Sequence, residues 1–293
     1  MKRAVVVAKR SSWRRLVEDA RDPHVIALLA ANDPSVARMR TAHDDHLRTV
    51  AEVDEALSSA GLEVERLDGP DAVFDDEGAA VVITVGGDGT LLAASHNVGR
   101  VPILGVNSAP GFSVGFFCGV QAGQVAAALA RLAAGDLPHV TLARMEVIKN
   151  DRVVSRRVLN DALVCHVSPA ATSRYLLEYG DVSEDQRSSG FWVGPAAGST
   201  AAQRSAGGQV LPLESQDLQL VVREPYNPEG RPLSMPRLIV PPGRTVRVRS
   251  KMMEACAYLD GPNESEPIAL GDVLDFRRSP EPLTVLALTH RGA

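Results

Sequence analysis

The sequence has few cysteines and no long apolar run, which argues against disulfide-rich, zinc-binding and membrane-spanning proteins. Its three cysteines, Cys118, Cys165 and Cys256, are odd in number and far apart among 293 residues, which argues against a disulfide framework or a zinc site. No apolar run reaches the roughly 20 residues of a membrane helix. The apolar stretch 4–8 is also too short for a signal peptide. We therefore expect a cytoplasmic protein that does not bind membranes.

Aromatic residues are also scarce, at 4%, so the core must consist mainly of Val, Leu, Ala and Ile. The hydrophobic fraction of 45% is normal for a globular protein with a full core. The formal net charge of −5 argues against general binding of nucleic acid. A chain of this length suits one large domain or two ordinary ones.

The two commoner phosphate-binding loops, G-x-x-x-x-G-K-S/T and G-x-G-x-x-G, are absent. In their place Gly86-Gly87-Asp88-Gly89-Thr90 follows the apolar, β-branched run 79–85 and precedes the apolar start of a helix. Glycines at such a junction allow positive φ and the close approach of an anion. The N-terminus of the following helix offers free N–H groups and a positive dipole end, which suit phosphate.

The carboxylate of Asp88 distinguishes this loop from a simple phosphate cradle, because like charges repel. An Asp at this position is better explained as a base that takes a proton from an attacking hydroxyl, or as a metal contact. A simpler interpretation is a tight turn in which Asp88 caps the helix. The two glycines before Asp88, the Gly-Thr after it and the buried strand upstream favour the chemical role.

The first part of the chain predicts an α/β domain with a parallel sheet. Strands alternate with helices, and such connections are right-handed crossovers with ligand sites at the carboxyl ends of the strands. Gly86–Thr90 and the loop 107–115 both lie at that edge by this interpretation. The predicted strands are 3–8, 62–67, 79–85 and 101–106, and the predicted helices are 36–60 and 121–132.

From about residue 139 the pattern changes to short alternating runs separated by turn residues, which predicts an antiparallel β domain. We place the domains at 1–138 and 139–280, and the sequence leaves open whether 280–293 returns to the first domain. The predicted strands are 141–149, 152–159, 162–167, 173–179, 190–193, 216–222, 245–250, 255–259, 273–278 and 283–288.

One acidic and histidine-rich cluster, His43-Asp44-Asp45-His46, lies within the first long helix. Histidines three apart on a charged helix are usually solvated, and no third ligand is evident. We therefore assign no metal ligands to it.

Two further segments are candidates for binding. Residues 188–208 are dense in small residues and hydroxyls, and Gly198-Ser199-Thr200 can aim donors at an anion or a ribose. A small-residue packing seam explains the same stretch equally well. Asn160-Asp161 joins two apolar runs and offers polar groups to a sugar or base edge, although an Asn-Asp hairpin turn is the simpler interpretation.

Taken together and in this order, these segments resemble the NAD kinase family over about residues 79–275. Asn160-Asp161 resembles the family's Asn-Glu pair, and the first motif alone is shared with lipid kinases whereas the later ones are not. The matching segments are Gly86–Thr90, Asn160-Asp161, Gly198–Ala201, Ser205–Gly208, Arg237–Pro242, Asp260-Gly261 and Gly271-Asp272.

The resemblance implies transfer of a phosphoryl group from ATP, or polyphosphate in some members, to the adenosine 2′-hydroxyl of NAD, with a divalent metal that is usually Mg²⁺. It implies that Asp88 is the base on that hydroxyl and that the protein is a homodimer or homotetramer. It assigns phosphate and nucleotide binding to Gly86, Gly87, Gly89, Thr90 and Asn107, and NAD binding to Asn160, Asp161, Gly198, Ser199, Thr200, Ala201 and Ser205.

The chain also departs from the family pattern. Asp161 replaces the usual Glu, Ala202 replaces a Tyr, Ser189-Gly190 replaces Asp-Gly, and the loop 107–116 is longer than usual. The longer loop and the Ser-Gly resemble the divergent, mitochondrial-type branch of the family. These changes affect the acceptor side, so a related kinase acting on a lipid, sugar or other nucleotide is the alternative. A nucleotide sensor that keeps the fold without catalysis is a third hypothesis, and NAD versus NADH stays open.

Overall fold

The computed structural model describes residues 3–69, 72–227, 230 and 233–288. The chain divides into two compact units, which are Met1–Val140 with Thr284–Thr289 and, as the second unit, Thr141–Leu283. The three cysteines are free thiols. No helix in the described ranges has the length and apolar character needed to cross a membrane.

The first unit is built on a seven-stranded sheet with the order β2-β1-β3-β4-β19-β6, in which β5 also pairs with β4. The pairs β1/β2, β1/β3 and β3/β4 are parallel, as predicted. The pairs β4/β5 and β4/β19 are parallel too, although the sequence predicted no strand at β5 and placed the run of β19 among the antiparallel strands. The strands are β1 Arg3–Ala8, β2 Glu63–Asp68, β3 Ala79–Gly86, β4 Ile103–Asn107, β5 Val120–Gln121, β6 His139–Leu142 and, from near the end of the chain, β19 Leu283–Leu286. Of the predicted segment 280–293, residues 289–293 lie outside the described residues.

Among the described residues of this unit, four α-helices accompany the sheet: α1 Pro23–Ala30, α2 Met39–Ser59, α3 Asp88–Ser95 and α4 Val125–Ala134. A π-helical turn, Arg14–Asp19, precedes them. The helix α2 buries Val53, Ala56 and Leu57 in the core cluster of this unit. The expectation that the histidines of α2 are solvated is wrong, because His43 and His46 are only 5% and 4% exposed.

The second unit contains two six-stranded antiparallel sheets, with the orders β11-β10-β15-β18-β7-β8 and β14-β13-β12-β9-β16-β17. A 3₁₀ turn, Ala196–Gly198, and the four-residue helix α5, Ala202–Ser205, follow β12. The strands are β7 Met145–Lys149, β8 Arg152–Val158, β9 Ala162–His166, β10 Ser173–Tyr179, β11 Val182–Ser188, β12 Phe191–Pro195, β13 Leu218–Val222, β14 Arg237–Val240, β15 Thr245–Ser250, β16 Ala255–Leu259, β17 Glu264–Ile268 and β18 Val273–Arg278.

The core of this unit lies between the two sheets. Phe191 packs against Tyr175 in a tilted arrangement and against Phe276 edge to face, with ring centroids 5.0 and 5.9 Å apart. Because Phe191 belongs to one sheet and the other two residues to the second sheet, these rings join the sheets face to face. The fold class, an α/β domain followed by an antiparallel β domain, is therefore as predicted.

Sequence patterning missed the strands β11, β14 and β17, and each of them lies at the edge of a sheet. In β11 and β17 polar side chains lie on both faces, so the alternation that reveals an inner strand is weak there. The strand β14 has only four residues, which are too few to show an alternation. The predicted run 141–149 is in fact two strands. It breaks at Arg144, which is fully buried and donates from Nε to the Glu281 carbonyl at 2.6 Å.

Candidate active site

The loop Gly86–Thr90 joins the end of β3 to the start of α3. Gly87 is the N-cap residue with extended backbone, and α3 begins at Asp88. The expectation of positive φ is wrong, since none of Gly86, Gly87 and Gly89 has a positive φ. The close approach of neighbouring side chains explains Gly86 and Gly87 instead. A Cβ on Gly86 would lie 2.1 Å from the Thr90 Oγ1, and one on Gly87 would lie 2.5 Å from the Ser113 Oγ.

Gly89 is different, because a Cβ there would meet no atom within 4 Å. The residue is exposed, so nothing within the chain requires glycine at this position. A glycine that borders open space at the start of a helix leaves room for a ligand to approach the backbone closely.

The Asp88 carboxylate is half-buried and engages the loop that follows β4. Its Oδ2 accepts a hydrogen bond from the Phe116 N–H and its Oδ1 one from the Phe117 N–H, both at 2.8 Å. It makes no capping bond to its own helix, so the interpretation of Asp88 as a helix cap is wrong. Each oxygen keeps a second lone pair, so the carboxylate is oriented and still able to accept a proton.

Asn107, at the end of β4, is 1% exposed and shapes the same loop. Its Nδ2 donates to the Ser113 carbonyl at 3.1 Å, and its Oδ1 accepts from the Ala109 N–H at 3.2 Å. Gly115 has φ +61°, and a Cβ there would lie 2.3 Å from the Asn107 Nδ2. In this structure Asn107 therefore acts on the loop that holds Asp88.

Two buried histidines of α2 contact the loops on either side of β3. His43 Nδ1 lies 2.7 Å from the Ser11 Oγ, after β1, and His46 Nδ1 lies 3.0 Å from the Ser108 Oγ, after β4. Burial, with the Lys9 charge as the next cause, lowers the pKa of His46 to about 4. The spacing of these histidines was visible in the sequence, but their partners were not. Within the described residues no cluster of three metal-ligating side chains is present.

In the second unit Asn160-Asp161 lies between β8 and β9 and is held by Asp260. The Asp260 Oδ1 accepts from the N–H groups of Asn160 and Asp161, at 2.6 and 3.0 Å, and its Oδ2 accepts from the Leu159 N–H at 2.8 Å. Asp260 itself has φ +52°. The hairpin interpretation is wrong, because β8 and β9 belong to different sheets and do not pair with each other. The sequence predictions did not assign Asp260 to the site.

Asp161 is 5% exposed and accepts a hydrogen bond on Oδ2 from the Asn160 Nδ2 at 3.1 Å. Burial, and secondly the Asp260 charge, raises the pKa of Asp161 to about 7. A buried carboxyl that changes charge near neutral pH is found more often at binding and catalytic sites than elsewhere.

The second glycine-rich segment packs against the same turn. A Cβ on Gly198 would lie 1.7 Å from the Asn160 carbonyl oxygen, and one on Gly194 would lie 2.4 Å from it. Ser199 is fully buried, and its Oγ accepts from the Leu211 N–H at 3.0 Å. The packing-seam interpretation is therefore correct for these residues, whereas Thr200, Ala201 and Ser205 are exposed.

Comparison with known proteins identifies relatives along most of the chain. A family model described as ATP-NAD kinase N-terminal domain matches residues 33–137. A probable NADH kinase of Oryza sativa is 33% identical over 80% of this chain and 78% of the relative. An NADH kinase of Arabidopsis thaliana is 31% identical over 84% of both chains. An NAD kinase of Methanothermobacter thermautotrophicus is 30% identical over 69% of both.

The fold also matches a solved structure. An NAD kinase from Archaeoglobus fulgidus, in complex with ATP, superposes with a TM-score of 0.67 over 96% of this chain and 92% of that chain. Because the sequence identity is only 21%, this match shows a shared fold and nothing further. Because two relatives exceed 30% identity over four-fifths of its length, the chain belongs to the NAD kinase family and is a phosphotransferase enzyme.

Proposed function

We propose that this enzyme transfers the γ-phosphoryl group of ATP to the adenosine 2′-hydroxyl of NAD or NADH. The observation that carries the proposal is the Asp88 carboxylate, which is half-exposed at the start of α3 and oriented by two backbone N–H groups. Phosphoryl transfer needs positioning, a nearby base and donors to the phosphate oxygens more than it needs covalent chemistry. The loop Gly86–Thr90 offers these features in five residues.

In this proposal Asp88 takes the proton from the attacking 2′-hydroxyl. Gly86, Gly87, Gly89 and Thr90 offer backbone and hydroxyl donors to the phosphates at the N-terminus of α3. Asn107 contributes by holding the loop 108–117, whose N–H groups orient the base. The open surface at Gly89 leaves room for the reacting phosphate.

The residues present fit a Mg²⁺ ion that enters with ATP. Mg²⁺ is commonly held by one or two carboxylates, the substrate phosphates and several waters, and it does not require a cage of protein ligands. The described residues contain no such cage, and Asp88 is the carboxylate of the loop. When bound, the ion would neutralise charge on the transferring phosphate.

On the acceptor side we propose that Asn160 and Asp161 bind the adenosine part of the dinucleotide, with Thr200, Ala201 and Ser205 beside them. Their support is chemical, since Asp161 is a buried carboxyl held next to an amide and the three others are exposed. Gly198 and Ser199 would act by maintaining this surface. The nicotinamide ring is remote from the 2′-hydroxyl, and the plant relatives are named NADH kinases, so both redox forms are candidates.

The test is a coupled assay with purified protein, in which formation of NADP or NADPH is measured with NAD or NADH as acceptor and Mg-ATP or polyphosphate as donor. Asp88→Asn should lower kcat by about 10²–10⁴-fold, because the base is removed. The new amide Nδ2 of Asp88→Asn cannot accept a hydrogen bond from a backbone N–H. We therefore expect the substitution to lower the unfolding free energy by about 1 kcal/mol. Asp44→Asn, on the exposed face of α2, is the matched control.

Three outcomes are informative. Wild-type turnover in Asp88→Asn would contradict the role of Asp88 as base. Absence of NADP and NADPH from a folded wild type that still binds ATP would contradict the acceptor, and would favour a different hydroxyl. Loss of NAD affinity in Asp88→Asn would mean that the variant is misfolded or that Asp88 belongs to the acceptor site.

Two further proposals concern the oligomeric state and the cellular compartment of the protein. The family resemblance supports a homodimer or homotetramer, which light scattering on the purified protein measures. The three free thiols support a reducing compartment such as the cytoplasm.

A further inference from the structure

A cavity of about 440 Å³ lies in the second unit, on the sheet that contains β7, β8, β15 and β18. Four arginines line it, and Glu146 is the one acidic residue among its described lining residues, which leaves an excess of three positive charges. A concave site of this size falls within the range that holds small-molecule ligands in proteins, roughly 300–1,000 Å³. The arginines are Arg156, Arg244, Arg277 and Arg278.

The strand register brings these groups together on the face of the sheet that points away from the core. Arg277 of β18 lies directly opposite Thr245 of β15 and Glu146 of β7. Residues that face each other across paired strands project to the same side of a sheet. Phe276, the neighbour of Arg277, is buried in the core between the two sheets, so Arg277 projects to the outside. The cavity therefore opens on the outer face of this sheet.

Glu146 holds two of the arginines in place. Its side chain is 2% exposed, and its carboxylate accepts hydrogen bonds from the Arg156 Nε at 2.8 Å and the Arg277 Nε at 2.6 Å. Burial alone would raise the pKa of Glu146, but these two hydrogen bonds and charges keep it below its ordinary value. No described residue accepts a hydrogen bond from the Nη groups of either arginine, so these donors are available to a ligand. Glu281, whose charge also acts on Arg156, is paired with Arg157 at 2.8 Å.

The other two arginines have no carboxylate partner among the described residues. The Arg278 Nη1 donates to the neutral Gln216 Oε1 at 2.9 Å. The Arg244 guanidinium lies over the ring of Tyr179, 5.5 Å from its centroid. Like charges that line one cavity repel each other, and an anion that binds between them relieves this repulsion. The cavity is therefore suited to an anion with more than one negative charge.

The lining also indicates the class of anion. The planar guanidinium fork of arginine matches the oxygens of phosphate and carboxylate groups. A phosphate monoester carries a charge of about −1.5 to −2 at pH 7, so two phosphate groups match the excess of three positive charges. Among the described lining residues none is aromatic or large and apolar, so a nucleotide base or a lipid chain has no surface to pack on.

We propose that this cavity binds a small anion with two phosphate groups, which is either inorganic pyrophosphate or an organic bisphosphate. The Nη groups of Arg156 and Arg277 and the guanidinium groups of Arg244 and Arg278 bind the phosphate oxygens. Glu146 acts as a positioning residue for the first two arginines. The inference goes beyond the reaction proposed above, because none of these residues belongs to the sites assigned to ATP or NAD.

The test is isothermal titration calorimetry of the full chain with inorganic pyrophosphate, in a buffer without divalent metal. The wild type is compared with the double variant Arg244→Gln/Arg278→Gln, in which Glu146 keeps both of its partners. The loss of two charged donors should weaken binding about tenfold or more. Arg249→Gln is the matched control, because Arg249 is an exposed arginine of β15 that does not line the cavity.

The loop Gly86–Thr90 also offers donors to phosphate, so a further variant separates the two sites. Gly89→Asp places a negative charge at that loop, where an added Cβ would meet no atom within 4 Å. Pyrophosphate should still bind to Gly89→Asp, and this binding should be lost when Arg244→Gln and Arg278→Gln are added. If Gly89→Asp alone abolishes binding, or if the double arginine variant binds as the wild type does, the proposal is overturned.

A conservative variant tests whether the cavity is a built site or only a charged surface. Arg277→Lys keeps the positive charge beside Glu146 but lacks the guanidinium fork, so it should weaken pyrophosphate binding several-fold. Binding equal to that of the wild type would mean that net charge alone attracts the anion, and would contradict the proposal. Thermal unfolding without ligand, followed by circular dichroism, shows that each variant is folded.

Two further ligands identify the source and the class of the anion. If a hexose bisphosphate binds to Gly89→Asp more tightly than pyrophosphate does, the ligand is an organic bisphosphate, and the reverse order assigns the site to inorganic pyrophosphate. Citrate carries several carboxylates and no phosphate, so it should bind more weakly than both. If citrate binds more tightly than either, the assignment to phosphate is overturned.

Discussion

The two glycine-rich segments of this protein use glycine for different reasons. In the second unit Gly198 and Gly194 lie directly against the Asn160 carbonyl, so the backbone itself leaves no room for a side chain. In the first unit Gly86 and Gly87 make way for the side chains of Thr90 and Ser113, and Gly89 borders open space. The second segment is thus shaped by contact with the backbone, and the first by contact with side chains at Gly86 and Gly87 and by an open surface at Gly89. A glycine motif alone does not reveal which of these demands it serves.

The carboxylates of the two units differ in the same way. Asp88 is half-exposed and is held by two backbone N–H groups. Asp161 is buried close to a second carboxylate, Asp260, and its pKa is raised to about 7. The first environment leaves a carboxylate oriented and accessible, and the second opposes ionisation.

The largest expected effect tests the glycine comparison directly. Gly198→Ala should prevent folding or cost at least about 3 kcal/mol of unfolding free energy, because the added Cβ meets a backbone carbonyl that cannot move aside. Gly89→Ala should leave the unfolding free energy within about 0.5 kcal/mol of the wild type but lower the activity. Urea unfolding of both variants measures this. A stable Gly198→Ala, or an unstable Gly89→Ala, would remove the distinction between the two segments.

The next effect concerns the buried acid of the second unit. The pKa of Asp161 is raised in the folded state, so the folded protein holds the proton more tightly than the unfolded chain. Stability from this group is therefore present at low pH and is lost as pH rises from about 4 to about 7, by up to about 4 kcal/mol. Relative to Asp161→Asn, the wild type should become progressively less stable across this interval. A difference that does not vary with pH would show that Asp161 titrates normally.

The buried His46 of the first unit should give the opposite dependence of stability on pH. Since the pKa of His46 is lowered to about 4, the folded protein binds fewer protons there than the unfolded chain. Stability then falls as pH drops from about 6.5 to about 4, by up to about 3 kcal/mol. Lys9 and His43 reinforce the shift, while Asp68 and the Lys9 carbonyl oppose it. The fall of the unfolding free energy between about pH 6.5 and pH 4 should disappear in His46→Gln. If it persists in that variant, other groups cause it.

The smallest expected effect separates two roles of Asp260, which accepts backbone hydrogen bonds and whose charge opposes ionisation of Asp161. In Asp260→Asn one oxygen is replaced by NH₂, which leaves one backbone N–H without its acceptor and costs about 1–2 kcal/mol at pH 5. At pH 8 the cost should be smaller, because the lost charge no longer opposes ionisation of Asp161. Denaturation at the two pH values measures the difference. An equal cost at both would mean that the two carboxylates are not coupled.

Much of the fold was predictable because its strands are inner strands with strong patterns. The runs 3–8 and 79–85 became β1 and β3 with nearly the predicted bounds. The edge strands β11 and β17 were missed because solvent on their free side permits polar residues. The edge strand β14 was missed because its four residues are too few to show an alternation. The buried histidines of α2 were misinterpreted because a charged helix gives no local sign of which polar side chains find partners.

The sequence by itself determined the two fold classes along the chain, most of the inner strands, the Asp-containing glycine loop and its resemblance to a kinase family, because these depend on local patterns and short motifs. Only the tertiary structure decided that Asp88 is oriented by the loop after β4, that Asp260 holds Asn160-Asp161 from about 100 residues away, and that Arg156, Arg244 and Arg278 line one cavity. The physical reason is that hydrogen bonds and charges between distant segments leave no periodic trace along the chain. Their partners become neighbours only when the core has formed.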